Sequence, residues 1–365
     1  MKILTGIDLP FSPNCGSMIL ANDLYSNLPK GISVRFLALA PSTPNDWTDI
    51  KDVQLLRIKK EINPEKYPTY VNSLSKEIEK HVSEFRPDVI HVQHLSFGMA
   101  LALSNIPLPK IAICHGTDIQ FALQSNFHKQ NIVEIYNKSQ KIIFPTKRIF
   151  NEFVELTVFK KKSVIIPWGI PDEICIRPIC RPDSVRRKIL YAGRLDANKN
   201  VDTIINSMRF IDPTIHLTVI GDGDQKDFLI NLVKKYNLES RITFLDFLPR
   251  KILWKKLTDF DAIVVSTKKI EAFCLVAVEA QAHGLPVIYS KTNGLIEVVG
   301  KSGISFKVQD SEELAKIVNR LLFNEKLIKK YSLLGKRNAK RYKISKTRKL
   351  FLKVSRELLN GNEGN

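Results

Sequence analysis

Two carboxylates with seven residues between them, Glu271 and Glu279, bracket the run Ala272-Phe273-Cys274-Leu275-Val276-Ala277-Val278. A helix spans that interval in about two turns, so both acids can face one ligand. The segment follows a strand expected over Ala262–Val265 and enters a helix expected to begin near Leu275. The backbone N–H groups of Phe273, Cys274 and Leu275 then sit at a helix N-terminus, where anions are favoured. Surface acids on an ordinary helix show the same spacing, so the pair gains meaning only from its companions.

One companion is Tyr191-Ala192-Gly193-Arg194-Leu195-Asp196-Ala197-Asn198-Lys199, a strand end, a glycine and two cations. An arginine fork and a lysine point charge at a strand end suit a diphosphate. Another is His115-Gly116-Thr117-Asp118, expected as a loop at the carboxyl edge of a strand over Ile111–Cys114. Asp222-Gly223-Asp224 has the form of a metal-binding Asp-x-Asp pair, yet it falls where a glycine-rich turn is expected anyway. Gly221-x-Gly223 lacks the third glycine of a dinucleotide fingerprint, which argues against a dehydrogenase.

These residues need strand ends to hold them, and the chain supplies two sets. Short aliphatic runs alternate with amphipathic stretches, the pattern of βα units feeding parallel sheets. The first set predicts strands at Lys2–Ile7, Val34–Leu39, Leu55–Ile58, Val89–Val92, Ile111–Cys114, Ile142–Phe144 and Val164–Ile166, with helices at Asn22–Leu28 and Tyr70–Phe85. Prolines and a glycine around Pro167-Trp168-Gly169-Ile170-Pro171, then Pro178 and Pro182, break both periodicities. The second set predicts strands at Ile189–Ala192, Leu217–Ile220, Ile242–Leu245, Ala262–Val265, Val287–Tyr289 and Ile304–Phe306, and helices at Gln225–Tyr236 and Leu275–His283. The expected division is an N-terminal domain 1–168, a linker 169–187, a C-terminal domain 188–340 and a basic helix and tail 341–365 that packs back toward the first domain.

In this order the segments resemble the retaining GT-B glycosyltransferases of family 4, the glycosyl transferases group 1, over nearly the whole chain. The resemblance implies an α/β fold of two facing Rossmann-like domains with an interdomain cleft. It also implies that Arg194 and Lys199 hold a donor diphosphate, that Glu271 contacts the donor sugar, and that Glu279 contacts the ribose. His115 is implied to lie against the transferred sugar. The loop Pro13-Asn14-Cys15-Gly16-Ser17, with Gly16 and Ser17, is implied to lie beside the reacting phosphate and acceptor, and Asn293 and Gly294 near the diphosphate. Departures from the family pattern bear on substrate fit more than on reaction class. Cys15 precedes a single Gly16, Trp168-Gly169 stands at the linker, and Asn293-Gly294 replaces a glycine pair.

The implied reaction moves a hexose or N-acetylhexosamine from a nucleotide diphosphate sugar to an acceptor hydroxyl, with the departing phosphate taking the proton. A UDP-sugar is expected before GDP-mannose, and a glycan, lipid-linked or small-molecule acceptor follows. Neither a cofactor nor a metal is expected, since the cations can meet the developing charge. A non-catalytic sugar-nucleotide binder is the alternative.

Composition sets the outer bounds. The chain has 365 residues, 44% of them hydrophobic and 25% charged, as in folded domains rather than disordered chains. No apolar run approaches the length of a membrane span, and the N-terminus reads as a strand rather than a signal peptide. The five cysteines are scattered, which fits a reducing cytoplasm better than a disulfide framework or a zinc site. A formal charge of +19 favours an anionic partner. Nucleic acid is not expected, because no aromatic and arginine stripe or recognisable module is present. The basic run Lys326 to Arg356 is a candidate for contact with anionic membrane.

Overall fold

Aliphatic runs become the inner strands, and their flanking amphipathic stretches become the helices that cover them. The computed structural model describes residues 1–13, 15–40, 48–159, 162–176 and 187–361. Asn14 of the first loop, residues 177–186 of the expected linker and residues 362–365 of the tail lie outside the described residues.

The chain divides into two units, residues 1–169 with 344–365, and residues 170–343. In the first, β1 (Lys2–Pro10), α1 (Gly16–Tyr25), β2 (Ser33–Leu39), β3 (Val53–Leu56), α2 (Tyr67–Phe85), β4 (Val89–Gln93) and α3 (Gly98–Ser104) come first. Then follow β5 (Lys110–Ile113), α4 (Thr117–Ala122), α5 (Asn126–Lys138), β6 (Lys141–Phe144), α6 (Lys147–Thr157) and β7 (Ser163–Ile165). The strands form one parallel sheet in the order β3-β2-β1-β4-β5-β6-β7. Its order reverses direction at β1 and β4, the kind of point at which ligands meet the carboxyl ends of parallel strands.

The second unit opens with α7 (Asp172–Ile176), β8 (Lys188–Ala192), α8 (Val201–Ser207), β9 (His216–Ile220), α9 (Lys226–Lys235), β10 (Ile242–Leu245) and α10 (Arg250–Lys256). It continues with β11 (Ala262–Val265), α11 (Leu275–Ala282), β12 (Val287–Ser290), α12 (Asn293–Val298), β13 (Ile304–Phe306), α13 (Ser311–Leu322) and α14 (Glu325–Ala339). Its parallel sheet runs β10-β9-β8-β11-β12-β13. Polar caps start several helices: the side chains of Thr146, Asp310 and Asn324 accept from the N–H groups of Ile149, Glu313 and Leu327.

The last helix, α15 (Ile344–Gly361), belongs to the first unit. Phe351, Leu352 and Val354 enter that unit's core. Arg348 donates to the carbonyls of Leu24 and Asp23 at 2.9 and 2.6 Å. Among the described residues no helix is long and apolar enough to cross a membrane.

Two elements depart from the periodicity. The helix expected from Asn22 begins at Gly16, because burial of Met18, Leu20 and Ala21 outweighs the low helix propensity of a Gly-Ser start. The third strand covers Val53–Leu56 rather than Leu55–Ile58, its register fixed by pairing Val53 with Phe36 and Leu56 with Leu39.

Candidate functional site

In the second unit the carboxyl ends of β8 and β11 lead into two loops that brace one another. Asp196 accepts the N–H groups of Asn198 and Lys199, each at 3.0 Å, which closes the first loop into a tight turn. Asn198 then bridges to the second loop, donating to the carbonyl of Ile270 at 3.0 Å and accepting from the N–H of Lys269 at 3.1 Å. Ser266 donates to the carbonyl of Lys199 at 2.7 Å. The turn and its bridges deliver Lys199 Nζ to Glu271 Oε2 at 2.6 Å, and Thr267 Oγ1 donates to the same oxygen at 2.9 Å. Glu271 Oε1 has no partner among the described residues, and the side chain is 11% exposed.

Burial pulls the Lys199 ammonium down, but Glu271 with Cys274 and Asp196 outweighs it, so the group stands above its ordinary value and stays charged. Arg194 lies at the same strand end with a side chain 63% exposed, its Nη2 3.1 Å from Asp196 Oδ2. An exposed pair of this kind is weak, so the guanidinium can exchange a carboxylate for a phosphate at little cost. The turn after β9 presses on this loop: a Cβ at Gly221 would lie 1.9 Å from the carbonyl oxygen of Gly193. Asp222 in that turn accepts its neighbour's N–H, Gly223 to Oδ1 at 2.9 Å, with Lys226 Nζ 4.0 Å away.

The approach to α11 runs through Phe273, whose ring is buried against Tyr342, so only its backbone can face a ligand. Cys274 caps the helix in the left-handed conformation, φ 67°, with Leu275 as its first residue. Burial, reinforced by Glu271, pushes the Cys274 thiol up to about 12, which removes it as a nucleophile near neutrality. Asn293 and Gly294 open α12, and a Cβ at Gly294 would lie 1.7 Å from the carbonyl oxygen of Glu271. Glycine is therefore what allows α12 to seat against the loop that carries Glu271.

Glu279 lies inside α11 and is buried. Arg250 donates to Oε1 through Nε at 2.7 Å, with Nη2 in ion-pair contact at 2.5 Å, while Trp254 Nε1 donates to Oε2 at 3.0 Å. Helix α10 has no fully buried residue, and this carboxylate ties it down alongside the packing of Leu253 and Trp254 on the core. Arg250 and Trp254, one helical turn apart, were not singled out by sequence. Their spacing was visible, but nothing in it named an acid 25 to 29 residues away.

The first unit holds the remaining candidates. Gly16 and Ser17 are the opening residues of α1 rather than a loop, with Cys15 as the extended cap. Thr117 and Asp118 likewise start α4, and the Asp118 carboxylate turns inward. It accepts from the N–H groups of Leu95 and His115 at 3.0 and 2.8 Å and from His94 Nδ1 at 2.9 Å. Burial pushes Asp118 up, yet His94 and these hydrogen bonds prevail and hold it below the usual carboxylate range. His115 is buried, 5% exposed, its ring 4.3 Å from that of His94 and 5.1 Å from Trp168. Burial, then His94, hold its imidazole well below the ordinary value, so it is neutral. His94, at φ 71°, is a site feature that sequence missed. The only signal was a second histidine at the end of the same strand that carries His91.

Comparisons with known proteins were consistent across the chain. Residues 176–341 match the family described as glycosyl transferases group 1, and residues 23–174 match the one described as glycosyltransferase family 4. A glycogen synthase of Mycobacterium tuberculosis is 29% identical over 262 residues, 65% of this chain, and the match spans 61% of that protein's length. A sucrose-phosphate synthase from Thermosynechococcus elongatus superposes with a TM-score of 0.84 at 18% identity, covering 99% of this chain and 100% of its own. The Anabaena protein HepE, solved in complex with UDP-glucose, superposes at 0.80 with 18% identity, covering 97% and 99%. At such identity these two show the fold.

Proposed function

This chain belongs to the group 1 glycosyltransferases of GT-B fold, and from that premise we propose that it moves a hexose or N-acetylhexosamine from a UDP-sugar to an acceptor hydroxyl with retention of configuration. The observation that carries the reading is the Lys199–Glu271 pair, a cation and a carboxylate held 2.6 Å apart beside the exposed Arg194. Arg194 and Lys199 meet the negative charge that grows on the departing diphosphate, and the N–H groups at the start of α11 add to it. Glu271 Oε1 accepts from sugar hydroxyls and so places the anomeric carbon. The bond from the acceptor oxygen forms as the bond to phosphate breaks, and the acceptor proton passes to the departing phosphate oxygen. Glu279 takes the ribose through lone pairs that Arg250 and Trp254 leave open, a carboxylate having about four. His115 touches a hydroxyl of the sugar substrate, while Gly16 and Ser17 serve the acceptor side.

HepE's complex with UDP-glucose supports uridine over guanosine as the first donor base. The acceptor in this reading is a glycan, a lipid-linked sugar or a small molecule, and the setting is cytoplasmic synthesis of cell-envelope polysaccharide, with the basic C-terminal segment against anionic lipid. A thermal-shift panel of UDP, UDP-sugars and GDP-mannose tests the donor. A ligand at a hundred times its Kd adds about 2.7 kcal/mol of apparent stability. Turnover of the stabilising UDP-sugar, including slow hydrolysis without acceptor, supports an enzyme; binding without any turnover marks a sugar-nucleotide binder instead.

A further inference from the structure

Behind His115 runs a buried hydrogen-bond network whose every proton can be placed. Thr5 Oγ1 lies 2.7 Å from the carbonyl oxygen of His91, which can only accept, so the hydroxyl donates there. Thr5 must then accept from Gln93, whose Nε2 stands 3.0 Å away. That fixes the Gln93 amide: its nitrogen also donates to Tyr25 Oη at 2.8 Å. Tyr25 in turn gives its own proton to His91 Nδ1 at 2.8 Å. His91 carries its proton on Nε2 and donates to Ser355 Oγ at 2.9 Å, and Ser355 donates to the carbonyl of Phe351 at 3.0 Å. The chain of donors closes with no conflict.

One end of it reaches the candidate site. With its nitrogen committed, Gln93 presents Oε1 to His115 Nε2 at 2.9 Å, so that nitrogen must hold the proton. His115 Nδ1 is left as a buried lone pair with no hydrogen-bond partner among the described residues. The groups facing the ring are His94, which donates to Asp118, and Trp168, while Asp118 takes the backbone N–H of His115. None of these contacts satisfies Nδ1. A buried acceptor without a donor costs free energy that a ligand hydroxyl can return.

We propose that Gln93 is a positioning residue that holds His115 in the Nε2–H tautomer, so that Nδ1 accepts a hydrogen bond from one hydroxyl of the sugar substrate. The proposal rests on the reading of His115 as a substrate contact. It specifies the chemistry of that contact: the sugar group there must donate, and a group that can only accept is refused.

Two measurements on the full-length protein test it. Nitrogen-15 spectra of histidine-labelled protein at neutral pH, with His115 assigned by its loss in His115→Gln, should show an unprotonated Nδ1 and a protonated Nε2. In Gln93→Glu the added carboxylate should shift His115 toward the doubly protonated form, a signature that a packing role alone would not produce. Analogues of the UDP-sugar that the wild type turns over, with one sugar hydroxyl at a time replaced by fluorine, keep acceptance and lose donation. One position should lose roughly tenfold to a hundredfold in kcat/KM. If the Gln93 variant does not fold, the wild-type spectrum and the fluorinated donors still decide. Protein that turns over no nucleotide sugar defeats the functional reading. Turnover with no fluorine-sensitive position, or a protonated Nδ1, defeats this proposal alone.

Discussion

At the scale of single residues, Glu271 and Lys199 form one unit with a division of labour. The carboxylate uses Oε2 to hold the ammonium and the Thr267 hydroxyl, and in the proposed reaction Oε1 takes the sugar. Glu271→Gln keeps the shape and removes the charge, so positioning suffers more than anchoring. We expect kcat to fall about a hundredfold with UDP affinity within about threefold of wild type, and steady-state kinetics beside calorimetric UDP binding will check this. Unchanged kcat would remove Glu271 from the mechanism. The two cations also lead us to expect transfer without a divalent ion, because in the proposed reaction Arg194 and Lys199 supply the positive charge that the departing diphosphate needs. The assay is transfer in excess EDTA, then magnesium or manganese added back; activity lost to the chelator and restored by either ion would return attention to Asp222 and Asp224.

Elements matter here through how closely they approach. The start of α12 packs on the loop bearing Glu271 so tightly that any Cβ at Gly294 collides with backbone rather than with a yielding side chain. Gly294→Ala must therefore move Glu271 or destabilise the unit, at about 1–3 kcal/mol for overpacking. A drop of tenfold or more in kcat/KM with a lowered Tm is the expected result, and wild-type kinetics would show that the approach is not needed. Helix α15 offers a different kind of surface. Its buried face enters the first unit's core, while Lys346, Lys349, Lys353 and Arg356 are exposed at intervals of three and four, one stripe along the helix. In the proposed membrane contact this stripe is the part that would meet anionic lipid, an attraction that weakens with salt. Co-sedimentation with phosphatidylserine vesicles should weaken sharply at high salt and in the Lys349→Glu, Lys353→Glu double variant. Equal pelleting with neutral vesicles would rule the stripe out as the cause.

For the whole molecule, the buried histidines couple stability to pH. Burial pushes His91 down to about 3 from an ordinary 6.5, and His115 is likewise held well below that value. The unfolded chain therefore binds protons below about pH 6.5 that the folded one refuses. Their contribution is complete above pH 6.5 and is lost as pH falls toward the folded values, at about 1.4 kcal/mol per pH unit for each fully depressed histidine. Thermal denaturation from pH 7.5 to 4.5 should show Tm falling from near 6.5 downward. His91→Gln, less stable but unable to titrate, should give the shallower slope. A Tm independent of pH across that range would contradict the burial of these rings.

The sequence by itself determined the alternating elements, the two parallel sheets and the residue types at their strand ends. Aliphatic runs, helical periodicity and loop glycines are local patterns, and local patterns are readable along the chain. Gly193, Arg194 and Lys199 after β8, with Glu271 before α11 and Glu279 inside it, were legible as residue types at these places, while the roles expected of them came from the family resemblance. The tertiary structure alone decided what each of them does with its neighbours. Lys199 meets Glu271 across 72 residues, Arg250 reaches Glu279 across 29, and Ser355 of the last helix touches His91 across 264. It also turned Asp118 inward and placed Gly16 and Ser17 in a helix rather than a loop. Hydrogen-bond direction, burial and proton placement depend on what lies within about 3 Å in space. Distance along the chain does not encode that, so the tautomer of His115 and the partners of Glu279 became visible only once the strands and helices were packed.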